Sequence, residues 1–273
     1  MLDTPAKNQK SFADGKILKS VTDGVGIVTF NNPGKRNAMS IEMWEGLGAA
    51  LIELREDETV RVVVLTGAGD KAFMSGADIS QFEKNRRNAQ ANEEYNRKSD
   101  AQRALLADYP KPTISCIRGF CLGGGMQVAM LTDMRFAAED SQFGIPAAKL
   151  GIAYGFEGLR HLVSLVGPSW ARLILYTGMR IDSAEALRIG LVDRVMPNDK
   201  LWDETLEIAR TISGNAPLAI KAAKITIAQV LKDKDDRDMA AIKAIGTACM
   251  VSEDFREGRQ AFMEKRKPNF KGR

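Results

Sequence analysis

Two hydrophobic periodicities share the first half of the chain, and only one of them persists into the second. Residues 16–20 and 24–30, the second ending VGIVTF, read as a strand pair, with Asp23-Gly24 supplying the turn. Asn31-Asn32-Pro33-Gly34 breaks that pattern. Ser40 is placed to cap a helix running to about Asp57, with Met43, Leu47, Ala50 and Leu54 on one face. The run RVVVLT at 61–66 is apolar without alternation, as a strand buried on both faces must be. Residues 67–77 read as loop, and 88–108 as a polar helix with its apolar spacing between Tyr95 and Leu106. A second buried strand follows at 112–117, a glycine-rich turn at 119–125, a helix from about Gly125 to Leu131 and a third buried strand at 133–138. Strand, loop, helix and strand recur at a spacing suited to right-handed parallel crossovers.

Beyond residue 156 the 3.6-residue period takes over. Helices are predicted at 157–166, 168–176, 183–189, 199–213, 216–232, 236–251 and 253–264. Pro168 and Pro217 fit first helical positions, and Asp182 with Glu185 forms a capping box. The fold class is therefore α/β, a parallel core followed by a helical C-terminal region. The expected division is a loose tail at 1–14, a core at 15–200 and a helical region at 201–273.

Composition narrows the function classes. The 39 basic residues exceed the 35 acidic ones by a net +4, too small and dispersed an excess to argue for nucleic acid. Three cysteines and one histidine (Cys116, Cys121, Cys249, His161) argue against a disulfide framework and a histidine-rich metal site. The polar start MLDTPAKNQKSFADG does not read as a signal peptide, and no stretch approaches the ~20 apolar residues of a membrane span. A cytoplasmic protein that engages no membrane is expected.

Two loops carry candidate chemistry. In KAFMSGADI, 71–79, small residues at 75–77 let a ligand approach the backbone closely, or simply make a tight turn. In RGFCLGGGM, 118–126, three glycines stand between a buried strand and a helix, whose free N–H groups suit a phosphate or a developing oxyanion. Close helix packing would ask for glycine there too. GAGDKA at 67–72 fits a dinucleotide fingerprint in letters, but 73–77 continues as loop where that motif needs a helix.

Together with VGIVTFNNPGKRNAMS, VVVLTGAGDKAFMSGADI, PTISCIRGFCLGGGMQVAMLTDMRFAAEDSQFGIP and AFMEKRKPNF, these loops resemble the enoyl-CoA hydratase/isomerase family, or crotonase superfamily, over roughly residues 16–270. The resemblance implies a spiral of ββα units with a helical C-terminal region that drives trimer formation, often paired into hexamers. It implies an acyl-CoA substrate and no cofactor beyond the CoA moiety. The N–H groups of Ala77 and Gly124 match the family's oxyanion-hole donors for the thioester oxygen. Ser75, Ala77, Asp78 and Ile79 match the adenine and pantetheine path, and Lys35 and Arg36 the early CoA-contacting loop. Phe262 and Lys265 match C-terminal residues that approach CoA, in some members from a neighbouring subunit.

The sequence departs from the family at the acid–base positions. The hydratases' two glutamates correspond here to Gln127 and Ala147, neither of which is a general base. Tyr154 lies where members resembling methylmalonyl-CoA decarboxylase carry a tyrosine, and is either a substrate contact and proton donor or a wall residue. Glu157 lies two residues past the base of one isomerase class; it is either a base whose pKa is raised beside Phe156 or a helix-terminal acid. Gln127 remains a contact for substrate or water. His161 reads as packed or surface, and nothing adjacent activates Cys121. Isomerisation or decarboxylation through an enolate is thus expected ahead of two-glutamate hydration. The alternatives are hydration by a different acid or base, and a catalytically silent acyl-CoA binder or RNA-binding offshoot.

Overall fold

The strand pair expected near the start of the chain is joined by one strand more. β1 (Lys10–Phe12) pairs antiparallel with β2 (Ile17–Thr22), which pairs with β3 (Val25–Phe30). The computed structural model describes residues 9–78 and 89–273. Lys10–Phe12 therefore belongs to the sheet and not to a loose tail. Its local sequence, KSF, is too short to show a period; pairing with β2 and the ion pairs of Lys10 and Lys19 to Glu53 hold it.

Helix α1 (Ile41–Glu56) begins where Ser40 Oγ accepts from the Met43 N–H at 3.3 Å, and it buries Met43, Trp44, Leu47, Ala50, Leu51 and Leu54. From there one pattern repeats. β4 (Val62–Gly67), β5 (Ala72–Met74) and α2 (Ala89–Ala107) are followed by β6 (Thr113–Ile117), β7 (Phe120–Leu122) and α3 (Gly124–Met130). Then come β8 (Met134–Ala138), β9 (Gln142–Gly144) and α4 (Phe156–Thr177). The first strand of each pair joins one sheet and the second joins another. With β10 (Ile181–Asp182), α5 (Ser183–Arg188) and β11 (Arg194–Met196), the orders among the described residues are β1-β2-β3-β4-β6-β8-β11 and β10-β9-β7-β5. Every pairing from β3 through β11 in the first sheet, and from β5 through β9 in the second, is parallel. This is a spiral of ββα units, the crotonase fold. β5 and β7 fall inside 67–77 and 119–125, which the sequence gives no reason to read as strand.

The unbroken apolar run of β4 has the expected cause. Val63 and Leu65 pack into the core under α1, while Val62 and Val64 pack on the other face beneath Leu201, Leu206 and Ala209 of α6 (Leu201–Gly214). In α4 a break at Gly167, with φ 72°, separates the two predicted helices, and Pro168 restarts the second. Asp182 accepts from the Glu185 N–H at 2.8 Å, as the capping box requires.

The chain ends in α7 (Pro217–Val230), α8 (Met239–Val251) and α9 (Glu253–Met263). α7 and α8 bury no residue within one protomer, although their sequences are apolar on average. Leu231, Met239, Met250, Val251 and Phe262 all lie exposed. Among the described residues no helix is long and apolar enough to cross a membrane.

Candidate active site

The early loop and the segment after β5 are laced together through their backbones. Ser75 N–H donates to Arg36 O at 3.0 Å, Met39 N–H to Gly76 O at 2.8 Å and Asp78 N–H to Met39 O at 2.9 Å. A parallel bridge pairs Met39 with Ala77, so the groups flanking Ala77 face Met39 and the Ala77 N–H is left on the opposite edge. Asn37, fully buried, clamps this arrangement: its amide donates to Ala68 O at 3.0 Å and Ala72 O at 2.7 Å and accepts from the Asn32 N–H at 2.9 Å. Its role was not read from the sequence, and its left-handed φ of 55° leaves no local pattern.

The glycine turn faces that opposite edge. Gly123 has φ 51° and ψ −114°, which side chains rarely adopt, and its N–H donates to Gly144 O at 2.8 Å. A methyl group added to Gly124 would lie 3.7 Å from Ala77 N and from Gly76 Cα, so the two backbones are in van der Waals reach. Among the described residues neither the Ala77 nor the Gly124 N–H has a protein acceptor. Gly124 is also the first residue of α3, where N–H groups lack helical partners and carry the dipole's positive end.

Gly125 sets the distance between the loops. A methyl group there would come 2.2 Å from Met74 O, a backbone atom that can move only with β5. Gly125→Ala is therefore expected to destabilise the fold by about 1–3 kcal/mol through overpacking. Gly124→Ala, with its contacts at 3.7 Å, should leave the midpoint close to wild type. Scanning calorimetry of both variants checks this, and equal midpoints would show that the turn does not depend on the Met74 contact.

Lys35, Arg36, Ser75, Ala77 and Asp78 are brought together by these bonds. Lys35 Nζ pairs with Asp78 Oδ2 at 2.8 Å, and Asp78 is buried. The Arg36 guanidinium stacks over Phe120 at 5.3 Å, and Arg180, which sequence reasoning passed over, reaches the same ring at 5.0 Å. Ile79 lies outside the described residues. Phe262 borders a separate cavity of about 660 Å³ with Phe255, Met263 and Phe270, and Lys265 is exposed three residues on.

One turn along α3 from Gly124, Gln127 enters the wall of a cavity of about 830 Å³ that Tyr154, Glu157, His161 and Arg103 also line. The walls meet closely, since a methyl group on Gly158 would lie 2.5 Å from the Gln127 amide and 3.5 Å from the Tyr154 ring. Ala147 is buried in the core instead. Burial pushes the Tyr154 phenol up to about 12, against the opposing charge of Arg103, so it is a protonated donor at ordinary pH.

Glu157 differs from the reading that buries it beside Phe156. Phe156 is 76% exposed, and Glu157 is exposed and held by Arg160 through Nε at 3.0 Å and Nη2 at 2.8 Å. The first turn of α4 opens to solvent here, and the i,i+3 spacing supplies the arginine. His161 is half-buried on the cavity wall, its pKa lowered by burial and by Arg160. Burial drives the Cys121 thiol far above its ordinary range, as an inert core cysteine requires.

Comparison with known proteins identifies the family. The family model for enoyl-CoA hydratase/isomerase matches residues 20–273. The chain is 35% identical over 254 residues to the crotonyl-CoA hydratase of Syntrophomonas wolfei, covering 93% of this chain and 97% of that protein. It is 36% identical over 250 residues to the short-chain-enoyl-CoA hydratase of Clostridium acetobutylicum, covering 91% and 95%. The solved structure of an enoyl-CoA hydratase/carnithine racemase from Magnetospirillum magneticum superposes with a TM-score of 0.91 at 32% identity, covering 97% of each chain. A ββα spiral that the family model matches over residues 20–273, with relatives above 30% identity along more than nine-tenths of the chain, makes this chain a member of the enoyl-CoA hydratase/isomerase family, whose enzymes act on acyl-CoA.

Proposed function

We propose that the Ala77 and Gly124 N–H groups form the oxyanion hole for an acyl-CoA thioester, and that the enzyme decarboxylates or isomerises its substrate through the enolate. The observation that carries this is the pair of N–H groups without a protein acceptor among the described residues, with Gln127 one turn along α3 from Gly124 on the wall of a cavity and no carboxylate at position 127 or 147. A thioester acidifies its α-carbon because the enolate places charge on oxygen, where fixed donors stabilise it with little reorganisation. The CoA thioester is itself the electron sink, and no further cofactor is called on.

In decarboxylation the bond from Cα to the carboxylate carbon breaks and carbon dioxide leaves. The electron pair enters the enolate, whose oxygen faces the two N–H groups. The Tyr154 phenol, protonated in its buried setting, then donates to Cα and is reprotonated from water. Isomerisation needs a base, and Glu157 is the nearest carboxylate by sequence; Arg160 must release it first. Hydration is the second reading, favoured by the names of the two hydratase relatives, and would require an acid–base pair other than two glutamates.

Crotonyl-, 3-enoyl- and methylmalonyl-CoA, each incubated with the enzyme and followed by product analysis, separate these outcomes. Fast hydration of crotonyl-CoA, unchanged in Glu157→Gln, would remove the decarboxylase and isomerase readings. Lys35, Arg36, Ser75, Ala77, Asp78 and Ile79 are proposed to border the CoA moiety. The exposed apolar faces of α7 and α8 support assembly as a homotrimer or hexamer, which would carry Phe262 and Lys265 to a neighbour's CoA. Light scattering that gives a monomer would exclude that assembly.

A further inference from the structure

One wall of the cavity comes from α2, through Asn96, Asp100, Arg103, Ala104 and Ala107. The Arg103 guanidinium is held from two sides. Its plane lies over the Trp44 ring at 4.6 Å, and Nη1 donates to Ser99 Oγ at 3.1 Å and to Asp100. The other edge is not used. Nε is buried and has no hydrogen-bond partner, and Nη2 makes no bond to protein among the described residues. That Nε–Nη2 edge offers two parallel N–H donors, the geometry that matches a carboxylate bidentately. A buried cationic donor without an acceptor is costly, so the site is incomplete as it stands.

The rest of the wall agrees. The lining is apolar over Met130, Leu131 and Ile152 and carries the polar groups of Asn96, Gln127, Tyr154 and His161 as well as Arg103, a mixture that suits an acyl chain with a polar end. Of the acidic residues described in its lining, Asp100 is exposed and takes Nη1, Glu157 takes Arg160, and Asp108 is exposed. Arg103 and Tyr154 line the same cavity, and the arginine's charge acts on the phenol.

We infer that Arg103 is a specificity-determining residue and that the substrate is an acyl-CoA whose acyl chain carries a carboxylate, received by the Nε–Nη2 edge in the cavity that Tyr154 also lines. This rests on the acyl-CoA reading of the site. The carboxylate can sit on the α-carbon or at the end of the chain, and the test separates these.

Butyryl-CoA, glutaryl-CoA and methylmalonyl-CoA are titrated into the full-length enzyme. The first two are followed by calorimetry, the third by rapid-mixing tryptophan fluorescence before turnover. One of the two carboxylate thioesters is expected to bind at least about tenfold tighter than butyryl-CoA, the lower range for a charge-assisted bidentate contact. Tight glutaryl-CoA places the carboxylate at the chain end, and tight methylmalonyl-CoA places it on Cα. In Arg103→Met the preference should fall to about one, and Arg103→Lys, which keeps the charge but loses the fork, should fall between. Should Arg103→Met fail to fold, the wild-type ratios and Arg103→Lys still decide. Butyryl-CoA binding as tightly as both others, or a preference that survives Arg103→Met, overturns the inference and leaves the acyl-CoA reading standing. Binding of none of the three overturns both.

Discussion

Gly124→Pro should lower turnover by about two to three orders of magnitude, the usual consequence of removing one oxyanion-hole donor. The substitution is unusually clean because of where Gly124 sits. It is the first residue of α3, the one helical position where proline's fixed φ fits and its missing N–H breaks no helical bond. The preceding residue is normally restricted by proline, but Gly123 at φ 51° and ψ −114° holds the mirror image of an extended conformation, open to glycine alone. The added Cβ meets Gly76 and Ala77 only at 3.7 Å. Gly124→Ala retains the N–H and serves as the steric control, expected within about tenfold of wild type. If the proline variant turns over like the alanine variant, while calorimetry shows both folded, the Gly124 N–H does not face the reacting oxygen. CoA affinity is expected to survive in both, since the proposed CoA contacts come from 35–36 and 75–79.

The elements that build this turn were unequally legible. β4, β6 and β8 are covered on both faces, and burial on both faces writes an unbroken apolar run that can be read locally. β5 and β7 are three residues each and exist because successive ββα units stack, pairing Ala72 with Phe120 and Met74 with Cys121. Nothing in AFM or FCL alone demands that pairing. The glycines were visible as glycines, but which one cannot change was not. Gly125 is fixed by a carbonyl 51 residues away in sequence, at Met74, whereas Gly124 is sterically tolerant and matters through its N–H.

The acid–base half was harder to read for the same reason. Gln127 and Ala147 are legible as absences at family positions. Whether Glu157 is buried depends on the direction in which α4 leaves the core, and α4 starts in solvent with Arg160 one turn on. Arg103 looked like one more charge on a polar helix. Its stacking on Trp44 and its place on the cavity wall come from the packing of α1 against α2, which no window of sequence contains.

Tyr154→Phe is expected to lower turnover of the preferred substrate by about 10²- to 10⁴-fold, the range for loss of a positioned proton donor, with substrate affinity much less affected. Phenylalanine keeps the ring that packs beside Gly158 and Gln127 and removes only the hydroxyl. The pH dependence gives a second signature. Free tyrosine titrates near 10, but burial holds this phenol up to about 12, so turnover should stay level through pH 10 and fall only as pH approaches 12. The stability linkage has the same sign. A folded-state pKa raised above the unfolded value contributes stability that is full below about pH 10 and is lost as pH rises from there toward 12. Wild type should therefore lose more stability than Tyr154→Phe between pH 9 and pH 11, and that difference removes the contribution of Tyr109, whose phenol burial also raises. A phenylalanine variant with full turnover would make Tyr154 a wall residue. The proton would then have to come from another group on the cavity wall, and a turnover loss in Glu157→Gln alone would identify Glu157, freed from Arg160, as the acid–base residue.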